Sequence, residues 1–304
     1  MTIVLGAIMR TALVTGGNAG IGYFIAEHLA AAGLEVVLGS RSAARGRAAA
    51  GAIRARVPGA RVACVPLDLA DLSSLTTSVA AVPADHLDVV VLNAGVLLAD
   101  PIRRETAAGH ELTFATNHLG HFALVALLWP RLAKARIVTQ GSFTARSATL
   151  DLGDLQSTRS YDPKRAYERS KLAQLLFAFE LARRLEAAGS GAAGLAVHPG
   201  GALDALTPSR PPVHVRTTAQ ALRAVPAGLV LQGKHAGARP AVHAALDPSV
   251  RNGQLWGPRF FGLRGRPRLE RAKGPLADAE TAARLWAASA ELTGVDPGFV
   301  TAPA

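Results

Sequence analysis

From residue 10 onward the chain alternates short β-branched runs with longer stretches of helical period, and no other feature restricts the fold as strongly. TALVT (11–15), EVVLGS (35–40), RVACVPL (61–67), DVVVLN (88–93), RIVTQ (136–140) and GLAVH (194–198) read as strands. Helices are expected near 21–32, 42–56, 71–81, 107–132 and 164–188. The strand runs are continuously apolar, as parallel strands covered on both faces should be. The predicted fold is α/β: a Rossmann-type doubly wound parallel sheet of about seven strands with helices on both faces.

After residue 199 the alternation fails. HPGGALDALTPSRPPVHV is dense in Pro and Gly, and residues 199–235 are expected to form a substrate loop or lid inside a single domain, 1–304. Helices near 217–231 and 238–246, a last strand around GQLWG and a terminal helix over DAETAARLWAASAELTG follow. Residues 257–275 have no clear period.

Composition narrows the class. Hydrophobic residues make up 49% of the 304, yet no run approaches the roughly 20 apolar residues of a membrane span. The opening MTIVLGAI has no basic leader or cleavage site, and Met9, just before the first strand, is an alternative start. One cysteine, Cys64, excludes an internal disulfide and a multi-cysteine metal site, which fits a reducing cytoplasm; no metal is expected. The net charge of +11 raises nucleic acid as a partner. Its basic residues are scattered and lack interleaved aromatics, so nucleic acid is set aside.

TGGNAGIG (15–22) lies where the first strand hands over to the first helix. Glycines there let the backbone approach a pyrophosphate, whose charge meets free amides and the positive helix end. The second strand ends in LGSRS, with Ser40 and Arg41 and no acid to bind a ribose 2′-hydroxyl. A guanidinium suits a 2′-phosphate, so NADP(H) is preferred, with NAD(H) as the alternative. Arg45 and Arg47 read as solvated charges on a helix face.

In AYERSKLAQ (166–174), Tyr167 and Lys171 are four residues apart, which puts phenol and ammonium on one helical face. Such a pair occurs by chance in many helices, and by itself it carries no chemistry.

TGGNAGIG, LDL (67–69), NAG (93–95), TNHLGHF (116–122) and AYERSK occur in this order, and with them the chain resembles the short-chain dehydrogenase/reductase family. AYERSKLAQLLFAFELARRL is similar to its retinol-dehydrogenase-like branch. The resemblance implies that Thr15, Gly16, Asn18, Gly20, Ile21 and Gly22 bind cofactor phosphates. It implies that Asp68, with Leu69, borders the adenine, that Asn93, Ala94 and Gly95 border the adenosine ribose, and that Pro199 and Gly200 lie beside the nicotinamide. It further implies a catalytic set of Asn117, Ser142, Tyr167 and Lys171, of which Tyr167 and Lys171 also touch the cofactor.

The chain departs from the family pattern in reading QGSF where a doubled serine is usual and in a wide gap from Ser142 to Tyr167. After the Pro-Gly, Asp204 stands where a threonine often contacts the nicotinamide, with Thr207 three residues on.

The implied chemistry is hydride transfer between NADP(H) and a carbonyl or alcohol. Tyr167 is then the general acid/base, with its pKa lowered by Lys171. Ser142 donates to the same substrate oxygen, and Asn117 links the lysine to solvent. His118, His121 and His198 lack a metal-ligand pattern and read as core or loop residues. Trp129, Trp286 and the RFF aromatics read as packing, and Cys64 as an inert thiol. A non-catalytic NADP(H)-sensing module on the same fold is the alternative. The Pro- and Ala-rich 200–216 suggests a hydrophobic substrate. The oligomeric state stays open, a homo-oligomer included.

Overall fold

The structure is a computed structural model that describes residues 9–298; the opening segment on which the expectation about a leader rests lies outside them. Eight strands form one sheet: β1 (Thr11–Thr15), β2 (Glu35–Ser40), β3 (Val62–Pro66), β4 (Val89–Leu92), β5 (Arg136–Gln140), β6 (Ala193–Val197), β7 (Leu255–Phe260) and β8 (Arg264–Glu270). Their order across the sheet is β8-β7-β6-β5-β4-β1-β2-β3, parallel except for the antiparallel β7–β8 pair. The chain reverses direction across the sheet between β3 and β4, leaving a crevice at the carboxyl ends of β1 and β4.

Side chains of β1 alternate between two cores. Ala12 and Val14 face one with α1 (Gly20–Ala31), α2 (Ala43–Arg56) and the later helix Arg239–Leu246. Leu13 faces the other with α3 (Leu75–Ala80), α4 (Leu112–Arg131), α5 (Pro163–Ala187) and the terminal helix Ala279–Thr293. Two covered faces are why the strands are apolar throughout.

Four local expectations are corrected. The sheet has an eighth strand, formed from the aperiodic 257–275, because β8 is a solvent-exposed edge rich in Arg whose side chains need no apolar period. The helix expected over 107–132 begins only at Leu112; Glu105 and Glu111 form a bridge, and the Glu111 carboxylate then caps the amides of Thr113 and Phe114 at 2.8 and 2.6 Å. The helix expected over 217–231 is broken into Thr218–Arg223 and a short turn, Ala227–Leu229, with Pro226 between them. Finally, α4 has the length and composition of a membrane span over 20 residues, contrary to the sequence expectation; 72% of its most apolar window is buried in the protein.

Candidate functional site

α1 begins without help from any side chain. Its N-cap residue, Ala19, offers no side-chain acceptor and its first turn holds no acid, whereas α2 and α5 are capped by Ser42 and Asp162. The loop before α1 is held by Thr15, whose buried Oγ1 accepts the amides of Asn93 and Ala94, each at 2.9 Å. The Asn93 amide group donates back to the Thr15 carbonyl at 2.9 Å. Gly16 and Gly20 have φ of 64° and 57°, a region costly for other residues. A Cβ on Gly22 would stand 2.4 Å from Asn93 Nδ2 and 2.5 Å from the Gly16 carbonyl. This close-packed cradle with unpaired helix amides fits a dinucleotide diphosphate. Asn18 on that loop and Ile21 in the first turn of α1 are partly exposed. Ser40 is buried and donates to Ser42 O at 2.9 Å, while Arg41 is exposed with no ion pair among the described residues. The Asp68 carboxylate accepts the Ala70 amide at 3.0 Å, and Leu69 packs so closely on α4 that only glycine fits at position 120.

The four residues of the implied catalytic set come to the same edge. Asn117 sits in a π-turn of α4, Ala115–Leu119, whose extra residue turns the side chain toward β4. It is fully buried; Oδ1 accepts the Val96 amide at 2.7 Å, and Nδ2 donates to Val96 O at 3.1 Å and to Ser170 Oγ at 2.8 Å. Asn117 thus fixes the 95–97 turn rather than meeting the lysine directly. A Cβ on Gly95 would lie 3.1 Å from Lys171 Nζ and 3.2 Å from Asn117 Oδ1. Lys171 Nζ donates to Gln140 O at 3.2 Å and to Gln174 Oε1 at 2.7 Å. It lies 5.8 Å from the Tyr167 ring centroid. The Ser142 hydroxyl faces the Tyr167 phenol closely enough to favour its ionised form, bonds Thr144 Oγ1 at 3.0 Å and caps a short turn, with the Thr144 amide 3.3 Å from its Oγ.

The electrostatics correct one expectation. Burial pushes the Tyr167 phenol above its ordinary value, and the Ser142 bond offsets only part of that. Burial also takes Lys171 from 10.5 down to about 7. With its ammonium over the ring and bonded to two oxygens elsewhere, the lysine does not hold the phenol down in this state. Between pH 7 and 10.5 the unfolded lysine therefore carries a proton that the folded one lacks. Stability of the cofactor-free protein is expected to rise with pH across this window, by at most about 1.4 kcal/mol per unit from this group. Urea unfolding at several pH values, compared with Lys171→Met, checks it; parallel profiles would remove the claim.

Sequence reasoning missed several neighbours. His121, read as a core residue, links the two halves of the site: its Nδ1 lies 2.8 Å from the Asn117 carbonyl, so Nε2 accepts from Thr15 Oγ1 at 2.9 Å. Burial holds its pKa near 3, which keeps it neutral. His118 is core, bonded to Ser289 at 2.7 Å. His198 joins Glu270 (3.1 Å) and Arg146 (3.2 Å) behind Phe143. Burial alone would raise the Glu270 carboxyl, but His198 and Arg146 hold it below its ordinary range.

The segment 199–235 is fastened on two sides. Arg210 grips Glu27 of α1 with Nε and Nη2 at 2.8 and 3.1 Å. On the other side the β7–β8 ribbon supports it: Gly201 N donates to Leu263 O at 2.9 Å, and Gln232 accepts from Gly265 N at 3.1 Å while donating to Pro199 O at 2.8 Å. Only glycine fits at 200, where a Cβ would meet Leu263 O at 2.4 Å. Thr207, the threonine near the expected nicotinamide contact, is fully buried; its hydroxyl donates to Leu203 O at 2.7 Å and accepts the Lys234 amide at 2.8 Å.

Residues 10–153 match the family described as short chain dehydrogenase. Human retinol dehydrogenase 13 is 35% identical over 294 residues, covering 94% of this chain and 85% of that protein. The chain belongs to the short-chain dehydrogenase/reductase family. Within the family it falls in the retinol-dehydrogenase-like branch, since mouse polyprenol dehydrogenase is also 35% identical, over 95% of this chain and 85% of that one. Among solved structures, an uncharacterized protein from Mycobacterium paratuberculosis is 36% identical with a TM-score of 0.76, covering 94% of each chain. The Pseudomonas aeruginosa RhlG/NADP active-site complex is 25% identical with a TM-score of 0.61, covering 82% of this chain and 94% of that one. Membership carries with it an oxidoreductase activity, a nicotinamide cofactor and a small-molecule substrate.

Proposed function

We propose that the protein transfers a hydride between NADP(H) and the carbonyl or alcohol carbon of a hydrophobic small molecule. The observation that carries this reading is that an uncapped helix start and the Ser142, Tyr167, Lys171 cluster lie at one edge of one sheet. The nicotinamide supplies or receives the hydride. Tyr167 exchanges a proton with the substrate oxygen, and Ser142 donates a second hydrogen bond to it. Lys171 holds the nicotinamide ribose from the floor of the site, and Asn117 keeps the 95–97 turn against it. Exposed apolar side chains on the two loops at this edge, among them Ile102, Val215, Leu222 and Leu229, favour an apolar substrate.

Retinol and polyprenol dehydrogenases among the relatives make isoprenoid alcohols and aldehydes the first compounds to assay. A panel of these, with aliphatic and aromatic ketones, is followed at the nicotinamide absorbance with NADPH and NADH in parallel. Tight NADPH binding without turnover of any member would leave only a binding module.

Arg41 at the end of β2 is assigned to the 2′-phosphate. Arg41→Ala is expected to raise the NADPH dissociation constant by about 10- to 100-fold, the worth of one charge-assisted contact, with NADH nearly unchanged. Equal losses for both dinucleotides would remove the role.

A further inference from the structure

Gly20 opens α1, and among the described residues the Lys234 side chain is what lies within 4 Å of the space a side chain there would occupy: Nζ stands 3.9 Å and Cδ 4.0 Å from that Cβ position. Lys234 comes from the far end of the lid, where the turn Lys234–Gly237 starts, and its amide is anchored on buried Thr207. Its Nζ is 2.7 Å from Asp204 Oδ1, and His214 Nδ1 is 3.7 Å from the same oxygen. A cation therefore stands over the uncapped helix start, and the two lid ends are tied through it.

We propose that Lys234 is a ligand of the cofactor diphosphate and that Asp204 is a placeholder for that diphosphate in the cofactor-free protein. This rests on the dinucleotide reading given above. Two observations support it. No side chain caps the start of α1 and its first turn holds no acid, so an anion arriving there meets Lys234 and the helix end together. The Asp204 side chain is 64% exposed, and an ion pair so open to water is weak enough to be displaced by a more highly charged group. Binding then exchanges the Asp204–Lys234 pair for a Lys234–diphosphate pair and releases the first turn of the lid from the second.

The test compares wild type, Lys234→Met, Lys234→Arg and Asp204→Asn. NADPH affinity is read from nicotinamide fluorescence, and affinity for adenosine 2′-monophosphate, which lacks the diphosphate, from calorimetry. Lys234→Met is expected to weaken NADPH on the order of tenfold or more and to leave the monophosphate unchanged. Lys234→Arg should keep most of the NADPH affinity, and Asp204→Asn should keep or improve it. NADPH binding by Lys234→Met at wild-type strength, or an equal loss for both ligands, overturns the assignment of Lys234. Asp204→Asn weakening NADPH as much as Lys234→Met overturns the placeholder. A wild-type protein that binds neither NADPH nor NADH would instead refute the dinucleotide reading itself.

Discussion

Replacing Tyr167 with Phe is expected to lower kcat by about 10²- to 10⁴-fold, the usual loss when a general acid/base is removed. The ring stays half-buried on α5 with its neighbours unchanged, so stability and NADPH binding should stay close to wild type. The lost group is one hydroxyl and its interaction with the Ser142 hydroxyl. The pH profile adds a second readout. Because burial raises the phenol above its ordinary value, oxidation of an alcohol should keep gaining rate as pH rises into the alkaline range, since it needs the tyrosine as a base. Reduction, which needs the protonated phenol, should hold well past neutrality and fall only in the alkaline range. A Phe variant retaining wild-type turnover would place the proton exchange on another group.

The second large effect is on the backbone cradle. Gly22→Ala puts a methyl 2.5 Å from the Gly16 carbonyl and 2.4 Å from Asn93 Nδ2. The first contact is with main chain, so the loop over 15–22 must move. The expected cost is about 1–3 kcal/mol in stability, typical of overpacking, together with a loss of dinucleotide affinity of about tenfold or more. Gly51→Ala is the matched control: it lies within α2 with nothing within 4 Å of its Cβ position, and should gain up to about 1 kcal/mol through helix propensity. Denaturant titrations with and without NADPH separate the two variants; comparable behaviour would mean the cradle tolerates displacement.

Much of this was legible in the sequence because burial leaves a pattern. Strands β1 to β6 fall within a residue of their expected bounds, since both faces of each are covered and the apolar run has to be unbroken. The glycine loop was legible from its place between a strand and a helix, and the family resemblance pointed to Asn117, Ser142, Tyr167 and Lys171, which the fold brings to one edge. β8 left no signal because its side chains face water. Lys234 left none because it reaches Gly20 only through the fold of the lid. His121 and Gln174 had a faint one, each lying one helical turn from a site residue on the same face, Asn117 and Lys171. The sense of the Tyr167 shift was misjudged because spacing reports proximity and says nothing of desolvation, which here is the larger influence.

The ribbon of β7 and β8 contributes no reactive group, yet it carries one wall of the lid through Gly201, Gln232 and Gly265. On the proposed reading, Ser142, Tyr167 and Lys171 all precede β6, while the segment that would admit the substrate follows it. Drift in the Arg-rich ribbon can retune which molecules are let in without disturbing the proton-handling centre, so two descendants of this protein could share a reaction and differ in diet.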